Sequence, residues 1–192
     1  MRPELSGHLR RLCIAFSALP FLFSMDSQAQ APKANAYQVQ AAYLYNFGKF
    51  VKWPTVAPSH QSGTFAICVL DGDPFGDTLQ STLPGESVGG KPVVIKRLSK
   101  PEDAVACRIL FISSAQGKNL TAILTAIDQT SVLTVSDMPN FSKRGGMIQF
   151  VLEGNRIRFE INLESAEKSH LVFASELLKV AEAVTKPAGP GD

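Results

Sequence analysis

The chain has 192 residues, 19 Lys and Arg against 17 Asp and Glu, and three cysteines. That length suits one domain with its own core. A formal charge of +2 excludes the broad electrostatic attraction behind non-specific nucleic-acid or anionic-membrane binding.

Residues 1–29 read as an export signal. Arg2, Arg10 and Arg11 supply a positive start, and residues 12–23 form an almost uncharged apolar run. The run is shorter than the about 20 residues a membrane span needs, and nothing after Phe23 extends it towards a retained anchor. Ser27-Gln28-Ala29 puts small residues where a signal peptidase cuts, so cleavage is expected after Ala29, with the 163 residues from Gln30 delivered to the periplasm. Losing Arg2, Arg10, Arg11, Glu4 and Asp26 from the 19 basic and 17 acidic residues leaves 16 and 15. Cys13 leaves with the signal. Cys68 and Cys107 remain as an even pair in an oxidising compartment, a disulfide candidate, with two buried thiols as the alternative.

Residues 30–36 read as a flexible lead. From Tyr37, apolar residues at Ala41, Leu44, Tyr45, Phe47, Phe50 and Val51 follow helical spacing until Pro54 stops them. A polar loop covers residues 56–63. The run TFAICVL (64–70) predicts a buried strand ending in the turn Asp71-Gly72-Asp73-Pro74. Pro74 suits the first turn of a helix reaching residues 79–82. After a Gly-rich loop (84–90) come a strand at 92–97, a short helical turn at 101–105 and the strand CRILFIS (107–113). An amphipathic helix at 118–128 and a strand at 131–135 follow.

The basic turn Lys143-Arg144-Gly145-Gly146 leads into residues 147–152 and 156–161, which flank Glu153-Gly154-Asn155 as a β-hairpin. One long helix is predicted over 164–184, and residues 186–192 read as a disordered tail. The alternation predicts a single three-layer α/β/α domain over residues 30–185. Its central sheet is mainly parallel, followed by the C-terminal hairpin and the long final helix.

Several patterns resemble catalytic ones without their context. Gly85-Glu86-Ser87-Val88-Gly89 has nucleophile-elbow spacing, and Asp137 and His170 follow in triad order. The elbow requires a strand turning straight into a helix, and here the serine precedes a strand. Gly85 to Lys91 approaches a phosphate loop, but Pro92 stands where Ser or Thr would hold magnesium. His60 and His170 lack nearby partner ligands for zinc. No catalytic residue, metal or cofactor is expected. Asp71, Asp73 and Ser113 fall at the C-terminal ends of predicted parallel strands, where open α/β sheets bind ligands, and are the candidate pocket residues. A helix-capping turn is the plainer reading of the two aspartates.

Ordered motifs along the mature chain carry a resemblance. Residues 37–47 (YQVQAAYLYNF), 49–54 (KFVKWP), 68–70 (CVL) and 73–76 (DPFG) are followed by 107–112 (CRILFI) and 133–137 (LTVSD). Then come 145–148 (GGMI), 158–162 (RFEIN) and 175–179 (SELLK). Together they resemble the bacterial YfiR family. The resemblance implies a periplasmic, non-enzymatic repressor that binds the periplasmic part of an inner-membrane diguanylate cyclase and lowers cyclic di-GMP signalling. It implies an outer-membrane lipoprotein as a second partner and leaves room for a homodimer. It also implies that Cys68 and Cys107 form a structural disulfide; the family's second, later pair has no counterpart here.

The expected partner surface comprises Phe141, Lys143, Arg144, Glu160 and Lys168, which set charge beside apolar positions. A small-molecule receptor serving another membrane sensor is the alternative function.

Overall fold

The computed structural model describes residues 30–54 and 63–186, with side chains from Ala36 onward. The export signal, residues 56–62 of the polar loop and residues 187–192 of the tail lie outside the described residues.

Helix α1 spans Gln30–Phe50. The predicted flexible lead is therefore helical: Pro32 falls in the first turn, where its missing N–H is no loss, and Ala31, Ala34 and Ala36 favour the helix. Strand β1 (Val51–Lys52) follows, then β2 (Phe65–Leu70), α2 (Thr78–Thr82), β3 (Ser87–Val88) and β4 (Lys91–Leu98). A 3-10 helix at Pro101–Ala106 leads to β5 (Ile109–Ile112). Next come α3 (Leu120–Ala126), β6 (Leu133–Ser136), β7 (Ile148–Glu153) and β8 (Arg156–Asn162). The chain ends through α4 (Leu163–Lys168), β9 (Val172–Phe173), α5 (Ser175–Val180) and β10 (Ala183–Thr185).

Eight strands form one open sheet in the order β10-β8-β7-β6-β5-β2-β4-β3, and β1 and β9 pair separately. Five of the seven neighbouring pairs are parallel; β7–β8 and β3–β4 are antiparallel. The β7–β8 register runs from Ile148↔Ile161 to Glu153↔Arg156, closed by Gly154 and Asn155, both at positive φ. That geometry is what a two-residue turn between twisted strands demands.

The central strands are buried on both faces, which explains their continuous apolar runs. From β2, Phe65, Ile67 and Val69 join the apolar cluster containing Ala41, Leu44 and Phe47 of α1. The alternating Ala66, Cys68 and Leu70 join a second cluster with Ile123, Ile127 and Phe141. Phe47 lies against Phe150 and Phe159 at ring separations of 5.8 and 5.1 Å, so α1 is clamped to the β7–β8 pair.

The long final helix is not formed. Helix α4 stops after Lys168: His170 takes φ 58°, its N–H donates to the Glu167 carbonyl, and the Leu171 N–H donates to the Ala166 carbonyl. This is the paired closure of a Schellman motif, completed by the buried contact partners Ala166 and Leu171. The chain then contributes β9, α5 and the parallel edge strand β10, in place of continuous helix.

Cys68 and Cys107 are disulfide-bonded, with Cα atoms 6.0 Å apart. Cys68 sits opposite Leu110 in the sheet. The backbone bends at Cys107, where the 3-10 helix ends, and brings its side chain back towards β2.

Candidate functional site: a basic turn and its cleft

The turn before β7 is held by buried polar contacts. Residues Ser142–Arg144 form a 3-10 helix ended by Gly145 at φ 98°. The Ser142 N–H donates to Gln149 Oε1 at 3.2 Å, and Asn162 Nδ2 donates to the Ser142 carbonyl at 2.7 Å. The Ser142 hydroxyl lies 3.3 Å from Gln149 Oε1 and 3.1 Å from Glu160 Oε2, so one proton serves two acceptors. Side chains from β7, β8 and the end of β8 thus fix the turn.

Of the five predicted contact residues, Lys143, Arg144 and Lys168 are exposed and Glu160 is half-buried. Phe141 is corrected: it has 0% exposure and belongs to the core beneath the turn, so it cannot touch a partner. A Cβ on Gly146 would come within 2.1 Å of its ring, so the absence of a side chain at Gly146 lets the turn close over Phe141. The sequence offers no signal for this, because an aromatic beside charged residues reads equally well as rim or as core.

Arg144 and Lys168, from separate elements, border one cleft of about 320 Å³ between α3 and α4. Leu124 and Met147 give it apolar wall; Ser165 and Asp128 add a hydroxyl and an acid. Arg144 donates to the Gly117 carbonyl at 2.8 Å and contacts Met138 Sδ at 3.2 Å. Lys168 pairs with Glu164 at 2.6 Å along α4. Sequence reasoning missed Asp128, Ser165 and the cleft itself, since no spacing rule joins α3 to α4.

The other predicted group lies elsewhere. The core order β4-β2-β5-β6-β7 is the 2-1-3-4-5 order of doubly wound sheets, whose crevice opens between the first and third strands in chain order, here β2 and β5. Asp71 follows β2 and Ser113 follows β5, so both stand at that crevice. Asp71 accepts from Gln116 Nε2 at 3.3 Å. Asp73 is committed to structure, accepting from the Phe75 N–H and pairing with Arg97, both at 2.8 Å. Ser113 is buried and its Oγ accepts from the Ala115 N–H at 3.3 Å. Asp137 joins the group by accepting from the Ser114 N–H at 3.0 Å and the Tyr37 hydroxyl at 3.2 Å. Burial, then the Asp137 charge and hydrogen bond, push the Tyr37 phenol up to about 12. Among the described residues no three His, Cys, Asp or Glu side chains gather as a metal site.

The triad-like residues are dispersed. Ser87 lies on edge strand β3, with β4, β2 and β5 between it and β6, which Asp137 follows. His170 is exposed in the turn after α4.

These features define an α/β domain with an open, mainly parallel sheet, a basic turn rigidly mounted on its antiparallel strand pair, and a cleft beside it. By its match over residues 37–182, the chain belongs to the YfiR/HmsC-like family. It also resembles two solved structures in fold. One is a conserved domain protein of Vibrio cholerae, with 11% identity, TM-score 0.53, and coverage of 78% of this chain and 60% of that one. The other is the ABC domain from Streptococcus pneumoniae in complex with L-Trp, with 8% identity, TM-score 0.51 and the same coverages. The chain therefore spans 60% of the length of each. At these identities the likeness is one of fold alone.

Proposed function

We propose that this protein is a periplasmic regulator that binds the periplasmic part of an inner-membrane diguanylate cyclase and holds it inactive. The family match over residues 37–182 carries this reading: it supports periplasmic, non-catalytic regulation of cyclic di-GMP signalling. The disulfide between Cys68 and Cys107 suits an oxidising compartment. Among the described residues, no helix is long and apolar enough to cross a membrane.

Repression needs no chemistry. A protein that binds only the inactive form of its partner stabilises that form by its differential affinity, and its removal returns the population to the active one. Lys143, Arg144, Glu160 and Lys168 form the docking surface, mounted on the turn that Ser142 fixes. An outer-membrane lipoprotein that sequesters the repressor completes the circuit.

Deleting the gene is expected to raise cellular cyclic di-GMP and biofilm matrix and to depress motility. Adding back the Lys143→Glu/Arg144→Glu protein is expected to leave cyclic di-GMP high. Unchanged cyclic di-GMP in the deletion strain, with no membrane protein recovered by crosslinking, refutes the repressor reading. A receptor serving another membrane sensor is then the better account, favoured by Asp71 and Ser113 at the crevice between β2 and β5.

A further inference from the structure

We propose that the cleft between α3 and α4 is a binding site for a small monocarboxylic acid with an aliphatic body. This goes beyond the repressor reading, and its test needs no cyclase.

The size of the cleft sets the first limit. At about 320 Å³ it lies at the lower end of small-molecule pockets, which run to about 1,000 Å³. Its lining divides by chemistry. Leu124, Ile127, Val132 and Met147 give an apolar wall suited to an aliphatic chain, and the basic residues Arg144 and Lys168 line the same cleft with Ser165 and Ser169.

The cations remain available to a ligand. The Arg144 bonds go to a neutral carbonyl and a thioether, which set the course of the side chain without neutralising its charge. No salt bridge includes it among the described residues. Among the described residues Lys168 pairs with Glu164, one turn away on the exposed face of α4, and an exposed pair of this kind exchanges readily. A carboxylate that gains a charged hydrogen bond while its chain leaves water outcompetes such a pair.

Asp128 decides between anion classes. It lines the same cleft, so a dianion or phosphate ester meets more repulsion there than a single carboxylate turned towards Lys168 and Arg144. None of Asp71, Asp73 and Ser113 lines this cleft, so it is separate from the crevice between β2 and β5. Arg144 and Lys168 also belong to the proposed docking surface, so an occupied cleft and a docked partner draw on the same two charges. The acid then serves as an input that alters repression.

The test is titration of sodium hexanoate into the protein purified from the periplasm, followed by calorimetry and by amide chemical shifts. Hexanamide serves as the neutral control. Saturable binding of hexanoate is expected, with shifts centred on Thr121, Thr125, Ser165 and Ser169, and hexanamide about tenfold weaker. Lys168→Gln and Arg144→Gln are each expected to weaken hexanoate about tenfold, and Asp128→Asn to tighten it. Lys168 is the safer position, since its side chain bonds the Glu164 carboxylate, whereas Arg144 holds the Gly117 carbonyl. Absence of saturable binding, equal binding of hexanoate and hexanamide, or affinity unchanged in Lys168→Gln overturns the proposal. The repressor reading stands or falls separately, on cyclic di-GMP.

Discussion

Ser142 and Gln149 are tied twice, because the backbone N–H and the hydroxyl of the serine both reach Gln149 Oε1, at 3.2 and 3.3 Å. Both residues are buried, so the two ends of this contact are not equivalent. Ser142→Ala keeps the N–H bond and loses a shared hydroxyl, costing about 1 kcal/mol. Gln149→Leu strands a buried N–H and is expected to cost more, about 1–3 kcal/mol. Urea midpoints give the ranking, and the reverse order would show that the serine N–H has another partner.

Gly146 is expected to tolerate no side chain while Phe141 is present. Gly146→Ala sets a Cβ 2.1 Å from the Phe141 ring, an overpacking worth about 1–3 kcal/mol. In a Phe141→Ala background the same change should cost almost nothing. A double-mutant cycle measured by thermal unfolding checks the coupling, and additive costs would refute the contact.

His170 closes a Schellman motif from the left-handed region, where a side chain costs about 1 kcal/mol that glycine avoids. His170→Gly should therefore stabilise the fold by about that amount, visible as a higher melting temperature. A lower one would mean that the imidazole makes a compensating contact.

The Tyr37 hydroxyl, 100 residues from its acceptor Asp137, ties α1 to the sheet. Its folded pKa, near 12, is above the unfolded value of 10.0, so between these values the folded state holds a proton that the unfolded state has lost. The contribution is full below pH 10 and declines as pH rises towards 12. The stability gap between wild type and Tyr37→Phe should narrow across that window and stay flat from pH 7 to 9. A gap that widens there would reverse the sign and refute the linkage.

The disulfide spans a sequence separation of 39 residues, and losing it is expected to cost up to about 4 kcal/mol in chain-entropy terms. Urea unfolding with and without reductant measures this. Alkylation of the denatured, unreduced protein should label neither Cys68 nor Cys107.

The strands of the core were legible because burial on both faces writes them as unbroken apolar runs, TFAICVL and CRILFI among them. The break after α4 was not. It rests on a histidine where glycine would have announced the stop, and the apolar spacing of Phe173, Leu177 and Leu178 continues across it. Strand β10 was hidden for a related reason, since Ala183-Val184-Thr185 is too short to show a period of two. At the site, Asp71 and Ser113 followed from a rule about strand ends. Arg144 and Lys168 are expected on one partner surface, but no spacing rule predicts the cleft that both line, which only the tertiary fold forms.

The bond between Cys68 and Cys107 makes a covalent ring of the chain between them, and that ring contains α2, β3 and β4. Strand β4 meets β3 only through Ser87↔Pro92 and Val88↔Lys91, so much of the sheet's margin on this side is bordered by the ring itself. A protease that cuts once between residues 71 and 106 severs the backbone without releasing a fragment, because both new ends stay tethered through sulfur. Such a nicked molecule migrates as two pieces only after reduction. Where proteolysis is frequent and refolding assistance scarce, this side of the domain survives a cut that would shed an untethered edge.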